Sequence, residues 1–196
     1  MARSRDISKV LSSNSTLATD AEVAATYQTK ATAGLVLLTT ASFTGVASVA
    51  LPDNSFSTTY DHYKIIYKFT TGTNGSILFR TRAAGTNATG ANYNYYDILT
   101  TSAAGPSREG ATGETSQFIS LHDSGVTTRN HIVEINVFNP FIAMPTTFQG
   151  NATVLTVRGV QFSGDHTLST SYDSAALIFT GTSMSSGSYS LYGFNK

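Results

Sequence analysis

From Leu35 onward the apolar residues of this chain recur at every second position, and that period constrains the fold more than any other feature. Tyr60–Phe69 is the clearest stretch, with Tyr63, Ile65, Tyr67 and Phe69 on one face and Lys64, Ile66 and Lys68 on the other. A strand sends successive side chains to opposite faces, so this stretch reads as a strand buried on one side. The turn Thr71-Gly-Thr-Asn-Gly75 and the returning run Ser76–Arg82 follow it. Asn-Gly between alternating runs is a strong hairpin signal. Phe43–Leu51, which stops at Pro52, is a further strand, as are Tyr93–Thr101, Gln117–His122, His131–Asn139, Ala152–Phe162, Ala175–Thr180 and Ser188–Phe194. Their separators, 84–91, 103–113, 123–129 and 181–187, are rich in Gly, Ser, Asn and Pro. Short strands at this spacing, with no helical pattern between them, predict an all-β fold. The expected architecture is an antiparallel, jelly-roll-like β-sandwich over 35–196. No fixed period repeats along the chain, which argues against a β-helix or propeller.

Residues 1–34 follow a different rule. Ile7, Val10 and Leu11 recur at helical spacing among Arg3, Arg5 and Lys9, and Ser12-Ser-Asn-Ser15 ends the pattern. Thr19-Asp-Ala-Glu22 is a capping box, in which the Thr hydroxyl and the Glu carboxylate satisfy free N–H groups at a helix start. The Ala-rich stretch to Lys30 places Val23 and Tyr27 four apart. The expectation is a short, partly helical segment. Helices this short are marginal in isolation. They gain stability when Ile7, Val10, Leu11 and Tyr27 pack against a partner or a second copy, with Arg3 and Arg5 beside them.

Composition narrows the function classes. Charged residues make up 12% of the chain against roughly 25% in an ordinary soluble domain. The formal net charge is zero. A chain with no Lys/Arg excess has no electrostatic footprint for phosphates, so nucleic acid is not an expected partner. Near-zero net charge also does little to hold identical copies apart. There is no cysteine, hence no disulfide and no thiolate metal site. The longest apolar run, Leu35–Leu38, is too short to cross a bilayer, and the basic start is followed by no apolar stretch of secretory length, so no membrane partner is expected.

Titratable groups are few and scattered. His62, His122, His131 and His166 show no metal-ligand spacing, and His122-Asp123 and Asp165-His166 read as turn-capping pairs. Nucleophile-elbow, phosphate-loop and EF-hand patterns are missing. A glycosidase would need two facing carboxylates. Glu109, Glu114 and Asp123 fall in or near separators and Asp97 and Glu134 in strands, so the sequence leaves such a pair open. No catalytic residue, cofactor or metal is expected. The one cluster with binding character is Asn92-Tyr93-Asn-Tyr95-Tyr96-Asp97, where rings could stack on sugar faces and polar groups bond hydroxyls. Alternation sends Tyr93 and Tyr95 to one face and Tyr96 to the other. Arg80 and Arg82 share a face of their strand and are candidate donors to the same glycan.

Several segments together resemble a known family. Ser57-Thr-Thr-Tyr60-Asp-His-Tyr63-Lys-Ile-Ile66, Ser76-Ile-Leu-Phe-Arg-Thr-Arg82 with the later Asn92-Tyr93, and the closing Gly187-Ser-Tyr-Ser-Leu-Tyr-Gly193 are similar to small jelly-roll proteins of tailed-bacteriophage fibres and appendages, of the marine phage and cyanophage type. Ser4–Leu11 and Ala25–Lys30 resemble the short N-terminal segment such proteins carry. The resemblance implies a non-enzymatic structural protein of the virion. It implies a homotrimer, docked on other virion proteins by its N-terminus, with a β-domain that points outward to a host-surface glycan. A capsid decoration protein and a free carbohydrate-binding module are the alternative expectations.

Overall fold

The computed structural model describes residues 34–101, 104–122, 129–154 and 158–194. Arg3, Arg5, Ile7, Val10, Leu11 and Tyr27, with the two short helices expected around them, lie outside the described residues. The chain divides into Met1–Gly34 and Leu35–Lys196, and the fold below is that of the second unit.

Among the described residues there are thirteen strands and no helix. In chain order they are β1 (Leu35–Val46), β2 (Ser48–Ala50), β3 (His62–Thr71), β4 (Gly75–Ala83), β5 (Thr86–Asn87), β6 (Tyr93–Thr101) and β7 (Ser107–Glu114). They continue as β8 (Gln117–His122), β9 (Arg129–Phe138), β10 (Thr146–Val154), β11 (Arg158–His166), β12 (Ser174–Phe179) and β13 (Met184–Phe194). The larger sheet runs β1-β13-β3-β9-β10-β11-β6-β7. The smaller runs β2-β12-β4-β5, with β8 also paired to β4. Every pairing is antiparallel. The chain is therefore an all-β protein of sandwich form.

One ribbon ties the two sheets together. β1 pairs β13 in the larger sheet while β2 pairs β12 in the smaller, and the crossing is marked by the Phe179 N–H donating to the Ala47 carbonyl at 2.8 Å. On the other side of the ribbon β3 pairs β13 and β4 pairs β12. The same four-strand relation thus spans both layers.

Alternation sets what fills the space between the sheets. In β3, Tyr63, Ile65, Tyr67 and Phe69 are buried, as their common face requires. They meet Val133, Ile135 and Val137 of β9, Leu191 of β13, and Phe79, Leu177 and Phe179 of the smaller sheet in one core. Each such side chain contributes about 1.5–3 kcal/mol when taken from water. The outward Lys64 forms an ion pair with Glu134 at 2.8 Å. Gly150, in the middle of β10, lies against the Glu134 carbonyl and the Phe162 ring, where a Cβ would overlap both.

The strand set differs from the sequence expectation in several places. The hairpin expected around Asn74-Gly75 does not form, because β3 joins the larger sheet and β4 the smaller, and Phe43–Leu51 is divided between β1 and β2 in the same way. β7 occupies a stretch read as a separator, because Ser107–Glu114 is polar and almost wholly exposed and so shows no alternation. It is a strand because β6 offers it an unpaired edge. The run Ala152–Phe162, read as one strand, contains the reversal between β10 and β11, which pair from Val154↔Arg158 to Thr146↔His166. Leu155-Thr-Val157 contains no Gly, Asn or Pro to announce a turn. Finally, β1 begins at Leu35 rather than Phe43.

Candidate functional site

β6 organises the region singled out from the sequence, and its alternation divides the candidates. Tyr93, Tyr95 and Asp97 face the smaller sheet, while Tyr96 and Ile98 face outward. Tyr93 is completely buried. Its ring lies edge-on to His166 at 4.4 Å and stacks near Phe148 at 6.2 Å. Its hydroxyl accepts from the Thr81 N–H at 3.0 Å, lies 3.0 Å from the Thr81 hydroxyl, and donates to the Ala88 carbonyl at 3.2 Å. Burial pushes that phenol up to about 12. Tyr93 is therefore a core residue that staples the sheets, and no surface ligand reaches it. Tyr95 is half-buried, with its ring 5.4 Å from Phe118 of β8.

Arg80 and Arg82 lie on the outer face of the smaller sheet, away from Tyr96. Arg80 donates from Nε to the Thr115 carbonyl at 2.9 Å. Arg82 binds the Gly85 and Leu51 carbonyls and pairs with Asp53 at 3.7 Å. Both hold loops in place. The six residues expected to converge on one glycan are thus spread over an outer face, the interior and the opposite outer face. Successive side chains of one strand leave on opposite faces, so Tyr96 cannot share a surface with Tyr95 and Asp97.

Around Tyr96 the structure brings together residues the sequence did not suggest. Tyr96 is 55% exposed. Ser163 and Gln161 of β11 stand opposite Tyr96 and Ile98, and Arg108 of β7 stands opposite Ile98 on the far side. With Gln149 of β10 they line an open groove of about 460 Å³. An aromatic ring and an aliphatic side chain supply an apolar floor, two amides and a hydroxyl supply both donors and acceptors, and a guanidinium stands at the rim. Gln149 and Gln161 lie more than 50 positions from the tyrosine cluster in the chain and join it only through pairing, so no local signal could have found them.

Beneath the same strands, on the inner side, Asp97 is 5% exposed and stands opposite Glu109 across the β6–β7 ladder. Neither Asp97 oxygen has a hydrogen-bond partner. Burial first, and the Glu109 carboxylate second, push its carboxyl up to about 7. This is the facing carboxylate pair that the sequence left open.

The histidines have other duties. His166, read as part of a turn cap, is instead fully buried in β11, with Nδ1 3.0 Å from the Tyr172 hydroxyl. Burial lowers its pKa. His131 stacks on Phe69 at 4.8 Å and its Nε2 lies 2.9 Å from the Thr71 hydroxyl.

No family model matches the chain, and no curated protein matches it. Among solved structures it is similar to a peanut lectin with a 9mer peptide, at 10% identity over 81% of this chain and 89% of that one, with a TM-score of 0.26. A likeness at that score carries no argument about fold or ligand.

Proposed function

We propose that this chain is a structural subunit of a tailed-phage fibre or tail appendage, held to the particle by residues 1–34, whose sandwich meets a host-surface glycan through the groove at Tyr96. The groove carries the reading. Sugars combine an apolar C–H face with a ring of hydroxyls, and Tyr96 with Ile98 offers a floor for the first while Gln149, Gln161, Ser163 and Arg108 answer the second. The volume falls in the ordinary range for small-ligand clefts, roughly 300–1,000 Å³.

Two further features support the structural role. The ribbon β1–β2 against β12–β13, nested by β3–β4, suits a jelly roll, the fold of the proteins this sequence resembles. Among the described residues β1 is an edge strand of the larger sheet, and it carries exposed Leu35 and Leu37, with exposed Phe194 of the neighbouring β13 opposite Leu35. Apolar side chains at a free edge suit burial between copies in a trimer.

A glycan array with the full chain tests the groove. Binding that Tyr96→Ala abolishes and Tyr96→Phe preserves is expected, because the ring face and not the hydroxyl makes the stack. Deleting residues 1–34 should leave the sandwich folded and remove the protein from particles. A blank array for the wild type would sink the glycan contact, and undiminished incorporation of the deletion would sink the docking role.

A further inference from the structure

The outer face of the larger sheet continues past the groove at Tyr96, and strand pairing sets what it presents. Asn136 of β9, Gln149 of β10, Ser163 of β11 and Tyr96 of β6 are successive register partners, so they form one row across the strands. Two residues along each strand, Asn151, Gln161 and Ile98 form a second row beside it. Gln149, Asn151, Gln161 and Ser163 are exposed, and Asn136 is half-buried. Asn is disfavoured in strands, and Thr would solvate this face at lower cost. Yet Asn136 and Asn151 both lie in strands with a neighbour on each side. Neither belongs to the lining of the groove, which ends at Gln149 and Gln161. Neighbouring strands lie about 4.8 Å apart, so the row from Tyr96 to Asn136 runs about 14 Å.

The charged side chains at the two ends of this strip offset each other. Lys64 and Glu134 close on each other at 2.8 Å at the β9 end. Arg108 and Glu109, adjacent on β7 at the other end, carry opposite signs, and the remaining carboxyl of the groove, Asp97, is buried. We propose that the groove is one end of a longer strip whose ligand is a linear, uncharged polysaccharide laid across the strands from Tyr96 to Asn136. The inference rests on the reading of the groove as a glycan contact. A sugar unit advances a linear chain by a distance close to one strand spacing, so about three or four units fit the row. The Tyr96 ring takes the C–H face of one unit. Each amide beyond it offers two N–H donors and a carbonyl acceptor, which suits hydroxyls that both give and receive hydrogen bonds. A uronate or sulfate would lose its water on this strip and find no unpaired cation in return.

The test is an array of linear gluco-, manno- and galacto-oligosaccharides, from disaccharides to hexasaccharides, with uronate and sulfated counterparts. The full chain is the probe, and calorimetry measures the series that bind. Affinity is expected to rise with length up to about three or four units and then level off. Asn136→Ala and Asn151→Ala should each shrink the advantage of the tetrasaccharide over the disaccharide about twofold to tenfold. Should Asn136→Ala fail to fold, Asn151→Ala decides, because that side chain is exposed. Tyr96→Ala should remove binding at every length. A blank array, or binding that survives Tyr96→Ala, sinks the glycan reading itself. Binding that needs Tyr96 but is equal for disaccharide and tetrasaccharide overturns the strip and leaves the groove standing, as does a length advantage that Asn151→Ala leaves untouched. Tighter binding of the uronate or sulfated series overturns the choice of an uncharged chain.

Discussion

Replacing Asp97 by Asn removes one buried charge while keeping the outline of the side chain, and its effect on stability should depend steeply on pH. Asp97 is pushed from the usual 3.8 to about 7, by burial first and the Glu109 carboxylate second. At about 1.4 kcal/mol per pH unit, the displacement amounts to about 4 kcal/mol once the group is ionised in both states. Because the folded state holds the proton more tightly than the unfolded chain, stability is greatest below about pH 4 and falls as pH rises through about 7. Between about pH 5 and about pH 8 the wild type should lose about 2.5 kcal/mol from this group. The charged and titratable groups around it are Glu109 from β7, Arg158 from β11 and Tyr95 on its own strand. The Asn amide brings its own cost of about 1–3 kcal/mol if unmatched, but that cost does not vary with pH. Urea unfolding of wild type and D97N measures the difference at both pH values. D97N should gain on the wild type by about 2.5 kcal/mol from the lower pH to the higher. An offset constant to within about 0.5 kcal/mol would refute the reasoning, since it would mean that Asp97 ionises as it does in water.

Three further outcomes follow from the same geometry. Tyr93→Phe strands the buried Thr81 N–H and should cost about 1–3 kcal/mol in urea unfolding, with little change in the circular dichroism of the folded state. Gly150→Ala forces a Cβ into the Glu134 carbonyl in a central strand, so its cost should reach or exceed the upper end of the roughly 1–3 kcal/mol range for overpacking, read as a lowered urea midpoint. His166 has its pKa lowered by burial, so the unfolded state takes up its proton first and stability is lost as pH falls through about 6.5. That acid-side loss runs opposite to the Asp97 effect. It should emerge clearly in D97N and flatten when His166→Gln is added.

Much of the sandwich was legible because half-buried strands carry their burial in their period. Tyr63, Ile65, Tyr67 and Phe69 announce an inner face, and all four are inside. The strands that escaped notice are those whose cause lies elsewhere in the chain. β7 has no inner face of its own to display and exists because β6 needs a partner. The β10–β11 reversal needs no Gly or Pro because long pairing on both sides dictates it. The site was legible in part only. Tyr96 was placed outward by alternation and is outward, but Tyr93 is spent on the core, and Arg80 and Arg82 are spent on loops of the other sheet.

Reading along the chain therefore settles which side chains leave a strand together, since that depends on the backbone pleat alone. It also excludes thiolate chemistry, which depends on composition. What each face meets is a separate matter, fixed by which strands become neighbours and in what register. Asp97 is paired with Glu109 on one side and Phe162 on the other, residues 12 and 65 positions away, and a slip of one residue would turn each to the opposite face. The groove at Tyr96 and the smaller cavity that shares Asp97 and Glu109 with it are both products of that register.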